Sequence, residues 1–350
     1  MHKTILGTDI HLFPEGYKMH KNTGHVTPLF QLVTFFIATL LLIPIFYRSL
    51  VVFNAREVLP KLTSYSIAAT PIYTGLTIHH FMDSDTIKNI VGIDATLWFA
   101  YNPAEVKREQ IEQFSFDNAT VEKSQITYEQ QGALEIATFD IQVHAKMDFN
   151  FKEYPLDDHR IWFSLKNSVL PPQKYSFVVN QNSLSLDSTA QINNCVSENI
   201  KAQSGFITQE YTLPDGKHEI DSSRVLFSFD CNPIDMRHFL NIFLPLYLIF
   251  FLTLFSFSFV YAEHTTDVPS IAAASVPALF AYRFVIESIS PNVSYFMVSD
   301  YLFFLYLVLS LLTFLSISWA LNHSVKIKKL IIMSLYLLMI LGCAVITYIV

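Results

Sequence analysis

Five apolar segments, at 29–47, 239–261, 270–289, 301–321 and 330–350, constrain the fold of this chain more than any other feature. An α-helix rises 1.5 Å per residue, so about 20 mostly apolar residues cross the hydrocarbon core of a bilayer. Each segment is about that long. Four carry no charged side chain; the segment at 270–289 carries Arg283 and Glu287. Between the first and second segments lies a stretch of ordinary polarity, 54–237. The chain is therefore expected to divide into a membrane part and one water-exposed domain. Its net charge of −7 and the absence of a long basic run exclude nucleic acid as an expected partner.

Orientation is read from lysines, because basic residues beside spans are retained in the cytoplasm. Lys3, Lys18 and Lys21 precede the first segment, and Lys326, Lys328 and Lys329 lie between the last two. The linker 290–300 has neither Lys nor Arg. Five spans reconcile these positions in one way: N-terminus inside, 54–237 outside, C-terminus at the outer face. Arg48, at the outer end of the first segment, runs against the pattern. That segment and its leading region are longer than a signal peptide, and Phe53-Asn54-Ala55 makes a poor cleavage site, so an uncleaved anchor is expected. The resulting divisions are a cytoplasmic tail (1–27), an anchor (28–53), an extracytoplasmic domain (54–237) and a four-helix membrane domain (238–350).

Within 54–237, apolar residues recur at every second position, the mark of strands with one buried face. Val91, Ile93, Ala95, Leu97, Phe99 and Tyr101 form one such face; Ile141, Val143, Ala145, Met147, Phe149 and Phe151 form another. Shorter runs follow at 161–165, 175–179 and 225–231. Asn102-Pro103, Pro171-Pro172 and Pro214-Asp215-Gly216 punctuate them as turns. Many short strands separated by turns predict an antiparallel β-sandwich. The fold class expected is an α+β membrane protein: an extracytoplasmic antiparallel β-sandwich, then a four-helix transmembrane bundle, with one additional N-terminal transmembrane helix. Cys195 and Cys231 fall in the outer domain, where either a disulfide or two thiols is compatible with their spacing; Cys343 lies in an apolar helix as a small filler.

The segment at 270–289 differs from its neighbours. From Ser270, steps of four and three reach Ala274, Pro277, Ala281, Phe284 and Ser288, a mostly small face on the one span that also holds two charges. Ionisable side chains within spans face protein or a water-filled cavity. Small residues also serve close helix packing, so this face reads as pore wall or as packing seam. Pro277 removes a backbone donor in mid-helix and is expected to bend it.

Three stretches carry a resemblance. Met147 to Asp157 contains Tyr154-Pro155-Leu156-Asp157, an aromatic-Pro-x-Asp turn between strands. Phe243-Leu244-Pro245-Leu246 places a proline in the first span after the sandwich, and Val285 to Pro291 runs through a linker to Tyr301. In this order they resemble the pentameric ligand-gated ion channels, the Cys-loop receptor superfamily, in its bacterial form without loop cysteines; Met147 and Ile161 occupy those cysteine positions. The resemblance covers 65–350.

It implies a homopentamer around five copies of 270–289, embedded in lipid and passing ions in response to a small ligand or proton. By this resemblance Ser270, Ala274, Pro277, Ala281 and Phe284 line the pore, Phe284 forms a hydrophobic constriction, and Glu287 forms an acidic outer ring. Glu263 and Asp267 place negative charge at the inner mouth, which favours cations; Arg283 is expected to turn away and pair with Glu287. Asp83, Tyr154, Pro155, Asp157, Arg237 and Pro291 are the expected coupling residues. Tyr175, Phe177 and Tyr211 are the ligand-binding candidates, with core packing as the competing reading. The implied location is a bacterial inner membrane. No cofactor, metal site or enzymatic activity is expected: His79 and His80 point to opposite faces of a strand, and no Ser/His/Asp grouping appears. The sequon at Asn118 matters only in a eukaryotic secretory pathway. A non-conducting receptor of the same architecture is the alternative, motivated by Pro277 and the extra anchor. A third reading is an assembly or adhesion subunit.

Overall fold

The computed structural model describes residues 26–51, 55–65, 69–85, 89–190, 195–214, 216–233, 237–259, 267–320 and 323–349. Within them the chain is α+β, with two β-sheets and five helices long and apolar enough to cross a membrane. Those helices are α1 (Pro28–Val51), α3 (Arg237–Phe255), α4 (Asp267–Ile289), α5 (Val298–Ala320) and α6 (Val325–Ile349). A one-turn helix, α2 (Arg108–Ile111), lies among the strands.

The first sheet holds β1 (Thr70–Asp85), β2 (Ile90–Tyr101), β4 (Ala119–Gln131), β5 (Leu134–Lys146), β7 (Tyr175–Val178) and β8 (Leu184–Leu186). The second runs in the order β3 (Phe114–Phe116), β6 (His159–Asn167), β10 (Gly216–Pro233) and β9 (Cys195–Leu213). The alternation seen at 91–101 and 141–145 is the alternation of burial along β2 and β5. Side chains of the two sheets meet: Phe81 packs on Phe229 at 5.8 Å between ring centroids, and Phe114 on Phe139 at 5.0 Å. Each fully buried Phe contributes roughly 1.5–3 kcal/mol.

Two expectations are corrected. The strands are not all antiparallel, because β1 pairs in parallel with β7 and β8. The chain makes long connections before returning to the edge of β1, and a long connection permits the same direction. The run at 141–151 is also not one strand. The ladder ends at Lys146, while Met147, Phe149 and Phe151 stay buried as the backbone leaves the sheet. Burial periodicity thus outlasts the hydrogen-bond ladder.

Among the helices, α5 packs against α3, α4 and α6, and α1 lies across α3 and α6. Helix α1 runs antiparallel to α3, with Phe46 on Phe239 at 4.7 Å and Phe35 on Phe251 at 4.3 Å. The Tyr247 hydroxyl joins Thr39 at 2.9 Å. Pro245 has no N–H for the carbonyl of Asn241, four residues earlier. The Tyr282 hydroxyl of α4 donates to that carbonyl, so the defect in α3 becomes a bond to its neighbour.

Candidate functional site

The strands and helices meet where the loop 147–158 reaches the α4–α5 linker. A helix leaves its first amides and last carbonyls without partners. Here the loop supplies them for two helices at once. The N–H groups of Val298 and Ser299, which open α5, donate to the carbonyls of Lys152 (3.0 Å) and Tyr154 (3.1 Å). The Tyr154 hydroxyl donates to the carbonyl of Ile289, which closes α4, at 2.7 Å. The Phe151 N–H in turn donates to the Tyr295 hydroxyl at 2.9 Å. Loop and helix ends therefore move together or lose bonds worth about 1 kcal/mol each, more where a buried group is left unsatisfied. Burial, and then the nearby Asp157, push the Tyr154 phenol up to about 12, so it stays a donor across the physiological range.

A second layer holds the loop from behind. The irregular segment 55–65 after α1 places Glu57 against it. The Glu57 carboxylate accepts from the N–H of Asn150 (3.3 Å) and of Arg160 (3.1 Å), and meets His159 Nδ1 at 3.0 Å. The other ring nitrogen of His159 lies 3.0 Å from Asp157. Phe149 and Phe151 cover the imidazole at 4.6 and 5.2 Å. Burial opposes a charged imidazolium, but bonds to Asp157 and Glu57 outweigh it and raise the pKa to about 9. Burial likewise works against the charge on Glu57, yet His159 and the Arg160 N–H hold its pKa below the ordinary value. One cation thus clasps two carboxylates from two segments. Arg56 adds an ion pair to Glu153 at 2.6 Å. Higher up, the segment pairs with β9 through mutual Thr63 and Phe206 backbone bonds of 2.9 Å. Gly205 permits that approach, since a Cβ there would come within 2.5 Å of the Thr63 carbonyl oxygen.

Helix α4 has two unlike faces. Ala272, Ser275, Leu279 and Ile286 are buried. Ser270, Ala274, Pro277, Ala281, Phe284 and Ser288 are exposed, Phe284 to 73 %. Arg283 turns toward α5, bonding Asp300 at 2.5 Å and Glu287 at 3.0 Å, so Glu287 stands at the exposed edge with its charge partly answered. Asp300 also accepts from the Met297 N–H at 2.8 Å, tying the linker into the start of α5. Arg283, Glu287, Pro291 and Asp300 border a cleft of about 530 Å³.

The coupling candidates divide. Tyr154 lies in the seam, Pro155 beside it, and Pro291 is buried in the linker. The cation facing Asp157 is His159, whereas Arg237 opens α3 with an exposed side chain. Asp83 falls at the end of β1, and its side chain lies outside the described residues, as do Glu263 and the side chain of Asp267. Tyr175 and Phe177 are core residues, 4 % and 3 % exposed, with Phe177 packed on Phe99, so neither is open to a ligand. Tyr211 stands exposed on β9 and bonds Gln209. Cys195 and Cys231 are disulfide-bonded, joining β9 to β10 just before α3; Cys343 is free and buried. Glu57 could have been noticed as an acidic residue between an apolar span and an apolar stretch, but nothing local announces its partners.

Comparison of the chain with protein-family models gives no match, and comparison with curated proteins gives none either.

Proposed function

We propose that this chain is one subunit of a homopentameric ligand-gated ion channel, in which a β-sandwich sets the conductance of a pore lined by α4. One observation carries the reading. The helix whose last turn is capped by the loop, through Tyr154 on the Ile289 carbonyl, is also the helix that leaves a small-residue face uncovered, from Ser270 to Ser288. A single copy has no use for such a face in lipid, whereas five copies around an axis would give it water. The loop 147–158 then couples the two parts, because shifting it alters the bonds that finish α4 and start α5.

The β-strands are placed outside the cell and the N-terminus inside, in a bacterial inner membrane. The lysine distribution supports this, as does the Cys195–Cys231 disulfide, a bond that persists in oxidising compartments. Selectivity leans to cations through Glu287, with Arg283 reducing the ring's charge. The stimulus is a small ligand or a proton; the burial of Tyr175 and Phe177 argues against an aromatic cage for amines built on those two residues.

The test is reconstitution of the purified chain in a planar bilayer, with images of the detergent-solubilised particle. Fivefold particles with unitary currents under a ligand or pH screen are the expected result. Particles lacking fivefold symmetry would end the proposal. A silent pentamer would favour the second reading, a non-conducting receptor, which Pro277 on the uncovered face supports by breaking that helix's hydrogen-bond ladder.

A further inference from the structure

The face of the first sheet turned away from the second carries a line of polar side chains that the proposed channel does not use. In β1 the register against β2 shifts between Ile78 and His80. A bulge of this kind re-aims a side chain, and His79 comes to lie between two other elements. Its Nδ1 is 2.6 Å from the carboxylate of Asp187, in the segment that follows β8, and its Nε2 is 2.8 Å from the Thr96 hydroxyl of β2. That hydroxyl in turn donates to Asp140 of β5 at 2.9 Å. One hydrogen-bonded line thus joins two carboxylates, through residues that no sequence motif brings together. The side chains of His79 and Asp187 are 35 and 47 % exposed, so water reaches the line.

The available protons fix the state of the ring. Ionised carboxylates accept hydrogen bonds and cannot donate them, and a threonine hydroxyl has one proton to give. Thr96 gives it to Asp140, so Nε2 has to bring its own, and Asp187 requires another on Nδ1. Only the imidazolium carries both. The neutral ring has a single N–H for two acceptors. Without the Nδ1 proton, ring and Asp187 meet lone pair to lone pair; without the Nε2 proton, Thr96 has to swing from Asp140 to the ring. The order carboxylate, imidazole, hydroxyl is also that of a hydrolytic triad. Here the hydroxyl proton is committed to Asp140, so His79 is not placed to act as its base. The elements packed on β1 are β2, β7 and β8. The one charged residue of β2 is Asp94, opposite His80; β7 and β8 have none, and Tyr175 of β7 is buried. Beyond β2, β5 adds Asp140 and His144. On β1 itself His80 is exposed, and Asp83 and Asp85 lie further on, at the end of the strand.

The segment after β8 is held to β1 by few other bonds. The Asp187 N–H donates to the Ile78 carbonyl at 2.9 Å, and the Thr189 hydroxyl to the His79 carbonyl at 3.4 Å. Eight positions beyond Asp187 stands Cys195, which staples the start of β9 to the end of β10, just before α3. We propose that Asp187, His79, Thr96 and Asp140 form a proton-binding site. It takes one proton from water onto His79 and so pins the segment after β8 to β1; as pH rises it returns the proton and loosens the segment. The site belongs to the strands and stands whether or not the chain conducts. In the proposed channel it gives the proton a place to act on the chain entering β9.

The test is amide hydrogen exchange of residues 184–190 in the full chain in detergent. It is run at about pH 5.5 and about pH 8, the two sides of the interval in which imidazoles change charge. Rates are corrected for the intrinsic pH dependence of exchange. Protection is expected to be on the order of tenfold higher on the acid side. His79→Gln and Asp187→Asn should each remove that difference, while retained protection in β2 and β5 shows that the variants are folded. Thr96→Val keeps every charge and should reduce the difference without abolishing it. His80→Gln should leave it intact. Equal protection of the unsubstituted segment at both pH values would overturn the site. So would a difference that survives in His79→Gln or vanishes in His80→Gln. None of these rates depends on unitary currents, so the site and the channel reading fail separately.

Discussion

Helices α1 and α4 are equally uncovered, since only 22 % of the apolar stretch of each is buried within the chain. What they leave uncovered is unlike. Helix α1, with mean hydropathy 2.4, exposes Leu29, Phe36, Leu40 and Tyr47. Helix α4, at 1.3, exposes the small residues Ser270, Ala274, Ala281 and Ser288 along with the bulky Phe280, Phe284 and Val285. Equal exposure with opposite chemistry means two different surroundings. The face of α1 matches hydrocarbon and asks for nothing more. The face of α4 is too small to gain much from lipid and is suited to close neighbours or to water. The difference also shows that exposure in one chain cannot by itself identify a lipid-facing helix.

The sharpest way to break this comparison is to place the same charge on both helices. Leu40→Arg is expected to cost roughly 3 kcal/mol of insertion or assembly, read as lost folded protein in fluorescence-detected size exclusion. Ala281→Arg is expected to be tolerated, changing conductance or selectivity instead. Equal losses from the two would place both faces in the same environment. Next in size is the clasp behind the loop. Glu57→Ala leaves the N–H groups of Asn150 and Arg160 and the His159 ring without their acceptor, and is expected to cost about 3 kcal/mol in thermal or denaturant unfolding.

The same clasp gives a pH dependence. His159 has its pKa raised from 6.5 to about 9, so its contribution is complete below pH 6.5 and fades as pH climbs through about 9. Glu57, with its pKa lowered, contributes above its ordinary 4.5 and loses this only at more acid pH. Melting temperature is expected to fall between pH 7 and 10, and His159→Gln to flatten that fall; an unchanged slope would remove the clasp from the argument. The smallest effects belong to the hydroxyls that finish the helices. Tyr154→Phe and Tyr282→Phe should each cost about 1 kcal/mol, but Tyr154→Phe, which uncaps α4, should shift the stimulus–response curve more than the melting curve. Identical shifts from both would mean that the cap has no special part in coupling.

Much of this architecture is legible in the residues. Hydropathy and length locate all five long helices to within a few residues, because a 20-residue apolar run has few other fates. The uncovered face of α4 follows from its three- and four-residue spacing, and the strands β2 and β5 from alternation. Strands β4 and β9 escape notice for the opposite reason: their side chains are largely exposed, as in Glu122 to Gln131, so no buried face imprints a period. The seam is half legible. Tyr154 announces itself through its turn, but capping of Val298 and Ser299 uses backbone carbonyls, which carry no residue signature. Glu57 and His159 are 102 positions apart, and only the folded chain brings them together.

The short connection between α1 and Glu57 has a mechanical corollary. Six peptide steps separate Val51 from Glu57, a leash that reaches roughly 20 Å at full stretch. Helix α1 is thus tethered, at close range, to the carboxylate that steadies the loop. Tilt of a long apolar helix responds to bilayer thickness. A thinner or thicker bilayer would tug on this leash before it disturbed anything deeper in the protein.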